Sequence, residues 1–189
     1  MATLKSTDRP DLPDDRFVPI GRDQPLDFEA VTAHLAKSGL VLDARFGARQ
    51  LVGGLANLNY LVSMNGEFAV LRRPPSGPLP PGAHDMAREH RILSRLNAGL
   101  PEAPRSLHFC ADTSVIGVPF QLIEFRDGMT IRGDGLPPQL AEPRLRRELS
   151  VRLIEMLARI HAVDAAAVGL GDLGRPDGFF PRAVEGWAR

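Results

Sequence analysis

The sequence predicts an α+β fold, in which a small antiparallel sheet of about five strands carries one inserted helix and is followed by helices. Three observations carry this prediction. Short apolar segments separated by turn signals occur between residues 40 and 73 and again between 104 and 125. An amphipathic segment at 85–98 separates these two groups. The longest segment with apolar residues at helical spacing comes last, over 143–161.

The chain before the first strand divides into an arm and a short helix. Residues 1–25 carry four prolines among many charges, which predicts a flexible N-terminal arm. Asp27 is typical of a residue that caps a helix, here expected over about 28–38 and stopped by Gly39. A strand over 40–46 should then lead into the sheet.

The stretch 51–73 predicts strand, glycine loop, strand, tight turn and strand. Gly53 and Gly54 lie where the first strand passes into a loop. Asn65-Gly66 is the strongest short hairpin signal, because a type I′ turn needs positive φ at both central residues. The returning strand ends on Arg72. A glycine loop above a hairpin, with a cation at the end of the next strand, suits binding of nucleotide phosphates.

The later elements follow from apolar spacing. The helix over 85–98 carries Glu89 on its apolar face rather than opposite it. The remaining elements are expected in this order: strands over 104–110 and 120–125, a long helix over 143–161 with a continuous apolar stripe, and a helix near 182–187.

Composition restricts the partners of this chain. Its 189 residues carry 23 Lys+Arg and 23 Asp+Glu, so no basic surface for nucleic acid is indicated. The one cysteine, Cys110, excludes an intramolecular disulfide, and no apolar run approaches a membrane span. The first 15 residues lack the apolar core of a signal peptide. The simplest expectation is a cytoplasmic chain.

Six segments, taken in chain order, resemble one known family. They are GGLANLNYLV (53–62), FAVLRRPPSG (68–77), REHRIL (88–93), SVIGVPFQLIEF (114–125), LARIHAVD (157–164) and VGLGDLGRPDGFF (168–180). Their order and spacing are similar to the aminoglycoside phosphotransferase family, whose fold is that of the protein kinases. The nearest subgroup is the kinase-like domains associated with acyl-CoA dehydrogenases.

The resemblance implies a set of nucleotide-binding residues. Gly53 and Gly54 would be the loop glycines, and Asn57 the asparagine usual in that loop. Arg72 takes the place of the kinase strand lysine, and Glu89 that of the helix acid that orients it. Ile123 resembles the gatekeeper, and the hinge that would bind the adenine edge is formed by Glu124, Phe125 and Arg126.

The implied activity is ATP-dependent transfer of the γ-phosphoryl group to a hydroxyl of a small molecule, with Mg²⁺ as cofactor. Residues 26–128 would form the nucleotide-binding lobe with its hinge, and 129–189 the start of a helical lobe. The family's His-Gly-Asp catalytic loop and its later Mg²⁺-binding Asp do not occur in the sequence. No catalytic residue or metal ligand is therefore assigned, the chain resembles an N-terminal part, and no turnover is expected from these 189 residues alone.

A second function remains open, namely a non-catalytic nucleotide-binding or protein-interaction module of the half-kinase or pseudokinase type. Without the rest of a helical lobe, the apolar stripe over 143–161 would be open to a second copy, which favours a homodimer. The acceptor substrate cannot be chosen from the sequence.

Three motifs have a simpler structural interpretation beside a functional one. The run Gly169–Gly174 fits G-x-G-x-x-G, but the strand that a dinucleotide site needs before it is not predicted. His84 and His90 could suggest a metal site, yet their spacing of six does not share a helix face, so surface histidines are favoured. Arg72 and Glu89 could form only a solvated surface pair.

Overall fold

The computed structural model describes residues 14–21, 24–53, 56–79, 84–129, 131, 136–174 and 177–188. The chain separates into two compact units. The first consists of Met1–Ser94 with Pro104–Gly128, and the second of Arg95–Ala103 with Met129–Arg189. The α+β class is confirmed.

The first unit is built on an antiparallel sheet of six strands in the order β1-β2-β3-β4-β6-β5. The strands are β1 (Phe17–Val18), β2 (Ala48–Leu51), β3 (Leu58–Met64), β4 (Glu67–Arg73), β5 (Ser106–Cys110) and β6 (Phe120–Glu124). The helices of the chain are α1 (Phe28–Ala36), α2 (Met86–Leu96), α3 (Pro143–His161) and α4 (Phe179–Trp187).

The sheet has one strand more than the five expected, because β1 lies inside the segment predicted to be a flexible arm. Phe17 pairs with Leu51, and the guanidinium carbon of Arg49 lies 3.6 Å from the centre of the Phe17 ring. Two residues are too short for an apolar alternation to appear in the sequence. The strand exists because β2 offers it an edge.

The prediction of a strand over 40–46 is wrong. Only Leu42 makes an isolated bridge, to Met64, and the chain then turns so that the N–H of Gly47 donates to the carbonyl of Asp43 at 3.0 Å. Gly47 has φ +68°, a conformation that favours glycine. The strand therefore begins at Ala48, after this turn.

The hairpin turn between β3 and β4 is confirmed. Asn65 has φ +50° and Gly66 has φ +81°, as a type I′ turn requires. The register that follows places Asn59 opposite Arg72. On the other side of β4, Gln121 of β6 is the register partner of Arg72.

The two faces of the sheet carry different side chains. One face packs on α1, which Asp27 caps by accepting the N–H of Ala30 at 2.9 Å. Val31 and Leu35 of α1 are fully buried there, in a cluster with Tyr60, Val62, Leu71, Phe120 and Leu122. The opposite face, called the Arg72 face here, carries Leu61 and Phe68 in a smaller cluster. Because side chains alternate along a strand, Arg72 shares this second face with Phe68.

Arg73, the neighbour of Arg72 in β4, points to the α1 side and is 1% exposed. Its Nη2 donates to the carbonyls of Gln24 and Pro25 at 2.8 and 2.9 Å, and to the hydroxyl of Tyr60 at 3.3 Å. Its Nη1 donates to the hydroxyl of Ser76 at 3.1 Å. A charged side chain thus ties the segment before α1 to the sheet.

The second unit is helical in its described part. The helix α3 has the predicted bounds and begins with Pro143, which suits the first helical turn. Arg159 near its end forms an ion pair with Glu102, and Leu100 and Leu170 are buried. The Gly169–Gly174 run lies in turns and bends, with α3 rather than a strand as the element before it. The last helix, predicted near 182–187, starts earlier, at Phe179.

In the part of the chain that the structure describes, no helix has both the length and the apolar character needed to cross a membrane.

Candidate functional site

The candidate site is centred on an ion pair between the sheet and α2. Arg72 lies next to the end of β4, and Glu89 lies in the first turn of α2. Arg72 Nε and Glu89 Oε1 are 3.1 Å apart, and the two side chains are 31% and 24% exposed. Asp85 fixes the start of this helix because its carboxylate accepts the N–H of Arg88 at 2.9 Å. The structure therefore brings together the cation and the acid that the sequence singled out.

Two opposing effects set the protonation of Glu89. Burial is the larger one and raises the pKa of the carboxyl, since desolvation penalises its charge. The charge of Arg72 and the side-chain amide of Gln121 lower the pKa in part, so that the net shift is upward. Arg72 and Gln121 stabilise the ionised carboxylate of Glu89. Because burial outweighs them, Glu89 takes up a proton at a higher pH than a surface glutamate does.

Asn57 is the second partner of Arg72. It is buried, and one end of its amide lies 3.1 Å from both Nε and Nη2 of Arg72. The other end lies 2.8 Å from Nδ1 of His84. A guanidinium has only donors, so the amide oxygen must face Arg72 and the amide nitrogen must donate to His84. Asn57 therefore connects His84 to the Arg72–Glu89 pair.

His84 and His90, predicted to be surface histidines rather than metal ligands, are both partly exposed, and each also has a specific partner. His84 is half-buried on Asn57 and has φ +57°. The ring of His90 stacks on Phe109 with centroids 5.0 Å apart, and its Nδ1 lies 2.8 Å from the hydroxyl of Ser106. Burial lowers the pKa of His90. Sequence spacing could not reveal the contact of His84, since Asn57 lies 27 positions earlier.

The glycine loop is described only at its beginning. Gly53 follows β2 and has φ +86°, so a side chain there would be strained. Gly54, the second predicted loop glycine, lies outside the described residues.

The predicted gatekeeper and hinge lie at the end of β6. Ile123 is 8% exposed and is the register partner of Val70, so both belong to the Arg72 face. Phe125 packs on Phe68 of the same face with ring centroids 6.2 Å apart. These side chains form an apolar surface beside the Arg72 cluster.

Glu124, the first predicted hinge residue, is held by arginines. Its Oε2 lies 2.9 Å from Nη2 of Arg126 and 3.4 Å from Nε of Arg105. Its N–H donates to the carbonyl of Arg105 at 2.9 Å. The side chain and N–H of Glu124 are thus committed to neighbours, and a backbone N–H offered to a ligand here must come from another residue.

No group of three or more His, Cys, Asp or Glu side chains within the described ranges could hold a metal ion. What the cluster can do chemically is bind an anion. Arg72 supplies an oriented guanidinium, and a planar fork of donors fits the oxygens of phosphate.

Comparison with known proteins gives one consistent result. The model of the phosphotransferase enzyme family (APH) matches residues 47–189. Acyl-CoA dehydrogenase family member 10 of Mus musculus is 38% identical over 137 residues, which cover 72% of this chain and 12% of that protein. Acyl-CoA dehydrogenase family member 11 of Gallus gallus is 37% identical over 142 residues, which cover 75% of this chain and 18% of that protein.

A solved structure extends the match to the fold. A crystal structure from Ralstonia eutropha, named as an aminoglycoside phosphotransferase, superposes with a TM-score of 0.65 at 28% identity. The match covers 87% of this chain and 46% of that one. The chain therefore spans less than half of the solved relative and at most a fifth of the curated relatives. Its kinase-like fold is as predicted, and the chain belongs to the phosphotransferase enzyme family.

Proposed function

We propose that this chain is the nucleotide-binding part of a kinase-like phosphotransferase, which moves the γ-phosphoryl group of ATP to a hydroxyl of a small molecule. The observation that carries the proposal is the Arg72–Glu89 ion pair of 3.1 Å, in a chain that belongs to the phosphotransferase family. In kinases a strand cation paired with a helix acid holds the nucleotide phosphates. Residues 26–128 would be the nucleotide-binding lobe, and 129–189 the start of the helical lobe.

The phosphates would bind between Arg72 and the loop that starts at Gly53. Arg72 is held from two sides, by Glu89 and by Asn57, so little side-chain freedom would be lost when it binds an anion. Its side chain remains 31% exposed, which leaves part of it accessible to a ligand. Glycine at the loop start allows the backbone to approach phosphate closely.

The base would bind on the apolar part of the Arg72 face. Val70 and Ile123 are register partners on adjacent strands there and keep 9% and 8% of their surface exposed. A flat base packed against them would be favoured mainly because its own apolar faces leave water. The hinge residues Phe125 and Arg126 would supply backbone contacts to the adenine edge.

Mg²⁺ enters this proposal with the nucleotide. The described residues offer no cluster of metal-ligating side chains, so we assign no protein ligand to the ion. When bound, it would neutralise phosphate charge. The sequence also contains no His-Gly-Asp run, so the aspartate that would accept the hydroxyl proton is not among these residues. We expect the chain to bind nucleotide without transferring phosphate.

The absence of a His-Gly-Asp run from the sequence also supports a second candidate, a non-catalytic nucleotide-binding or interaction module. A phosphate-transfer assay with radiolabelled ATP and hydroxyl-bearing acceptors bears on this point. Transfer by the wild-type chain that disappears in Arg72→Met would contradict the expected lack of turnover. It would also exclude the non-catalytic module.

Calorimetric titration with ATP·Mg²⁺ tests the nucleotide site itself. Arg72→Met should weaken binding by about tenfold or more, since a charge-assisted hydrogen bond contributes about 1.5–3 kcal/mol. Arg88→Met is the matched control, because Arg88 is an exposed arginine at the start of α2 and the charge change is the same. Equal affinities of the two variants would contradict the assignment of Arg72, and no binding by the wild-type chain would contradict the proposal as a whole.

A further inference from the structure

We infer that His84 is a positioning residue, which holds the amide of Asn57 so that Arg72 is aimed at the nucleotide phosphates. This inference rests on the proposed function. It is carried by three contacts in a row, of 2.8 Å from His84 Nδ1 to Asn57, 3.1 Å from Asn57 to Arg72, and 3.1 Å from Arg72 to Glu89.

The donors and acceptors along this row allow one arrangement. The guanidinium of Arg72 can only donate, so it takes the oxygen of Asn57. The remaining amide nitrogen can only donate as well, so Nδ1 of His84 must accept. His84 is then neutral, with its ring proton on Nε2. The orientation of Asn57, and with it one of the two supports of Arg72, depends on the imidazole.

The backbone of His84 supports a specific role. Its φ of +57° lies in the left-handed region, which few non-glycine residues adopt, although Asn, Asp and His do so more often than the others. Such conformations persist where the surroundings hold them, and they cluster at functional sites. Asn57 is buried, so water cannot readily replace the ring as the partner of its amide nitrogen.

Protonation of His84 would reverse its role. An imidazolium donates from both nitrogens, so Nδ1 would face the amide nitrogen of Asn57 donor to donor. The amide must then lose this partner or turn over and present its nitrogen to Arg72. An acceptor at position 84 is therefore needed to hold Asn57 in the orientation that supports Arg72.

Two substitutions separate the hydrogen bond from the backbone conformation. His84→Asn places an oxygen acceptor where Nδ1 lies, does not titrate, and tolerates positive φ. His84→Gly also tolerates positive φ but offers no acceptor. Binding of ADP·Mg²⁺ is measured by calorimetry for the wild type and both variants at pH 7.5.

At pH 7.5 we expect His84→Gly to bind about three- to tenfold more weakly than the wild type, and His84→Asn to recover most of that loss. Wild-type affinity in His84→Gly, or binding by His84→Asn that is as weak as in His84→Gly, would overturn the inference.

A nitrogen-15 NMR measurement separates this inference from the proposed function. If the wild-type chain binds no nucleotide, the proposed function fails, but the ring tautomer of His84 can still be read in the free protein. We expect the Nε2–H tautomer at pH 7.5, and an Arg72 Nε–H signal that shifts in His84→Gly but stays close to the wild type in His84→Asn. An Nδ1–H tautomer, or an Arg72 signal unchanged in His84→Gly, would overturn the inference.

Discussion

Replacing Arg73 by methionine should destabilise the protein strongly, whereas the same change at Arg72 should not. The two arginines are neighbours in β4, but their side chains lie on opposite faces of the sheet. Arg73 is 1% exposed and donates to the carbonyls of Gln24 and Pro25, at 2.8 and 2.9 Å. Methionine keeps the apolar stem of the side chain and removes all of its donors.

The magnitude follows from the groups that lose a partner. A buried polar group left unpaired costs about 1–3 kcal/mol, and Arg73→Met leaves two backbone carbonyls, both partly buried, without this donor. Removing a buried charge returns part of its desolvation cost, so we expect a net loss of about 2–3 kcal/mol. The ion pair of Arg72 is partly exposed, and its loss should cost about 1 kcal/mol or less.

Urea denaturation followed by circular dichroism measures both effects. Arg73→Met should lower the free energy of unfolding at unchanged m value, and Arg72→Met should remain close to the wild type. Calorimetry with ATP·Mg²⁺ should give the opposite order, with binding weakened at Arg72 and retained by the folded fraction of Arg73→Met. If Arg72→Met were the less stable variant, the assignment of a structural role to Arg73 and a binding role to Arg72 would be refuted.

Three further predictions concern other parts of the chain. The carboxyl of Glu89, followed by NMR, should titrate above the usual range of glutamate, and higher still in Arg72→Met, because burial then acts with less opposition. A lower pKa of Glu89 in Arg72→Met would contradict this expectation. Because folding raises the pKa of Glu89, the contribution of this group to stability is greatest at low pH and falls as the pH rises through the folded pKa. Gly66→Ala should cost about 1 kcal/mol or more in urea denaturation, since φ is +81°, whereas Gly128→Ala, in open space without a positive φ, should be neutral. The helix α3 exposes Leu153 (70%) together with Val151, Ile154 and Leu157, and these apolar side chains predict self-association through α3. Sedimentation should detect the association and Leu153→Glu should weaken it; a monomer at all concentrations would exclude it.

The features that the sequence predicted correctly are those set by local chemistry. Asn65-Gly66 dictates its turn through backbone preference alone, and Asp27 caps α1 through an oxygen three residues from its partner. The pairing of Glu89 with Arg72, whose side chains lie 3.1 Å apart, was expected from the resemblance to the family rather than from local chemistry. The turn and cap signals each lie within a few residues.

The features that were missed depend on contacts between distant parts of the chain. The two residues of β1 form a strand only because Leu51 and its neighbours provide an edge. The roles of Arg73 and His84 depend on partners 48 and 27 positions away, respectively. The segment from Leu40 to Phe46 has the apolar content of a strand, but strand pairing begins only at Ala48, after the turn at Gly47.

The segment before residue 47 has a consequence for how fragments of such proteins are chosen. The family model matches from residue 47 onward, yet β1 and α1 both precede that point and supply part of the buried interior of the sheet. A fragment trimmed to residues 47–189 would expose Leu71 and Leu122, which pack with α1. The boundary of the family model and the boundary of the packed unit thus differ, and a fragment for expression should follow the second.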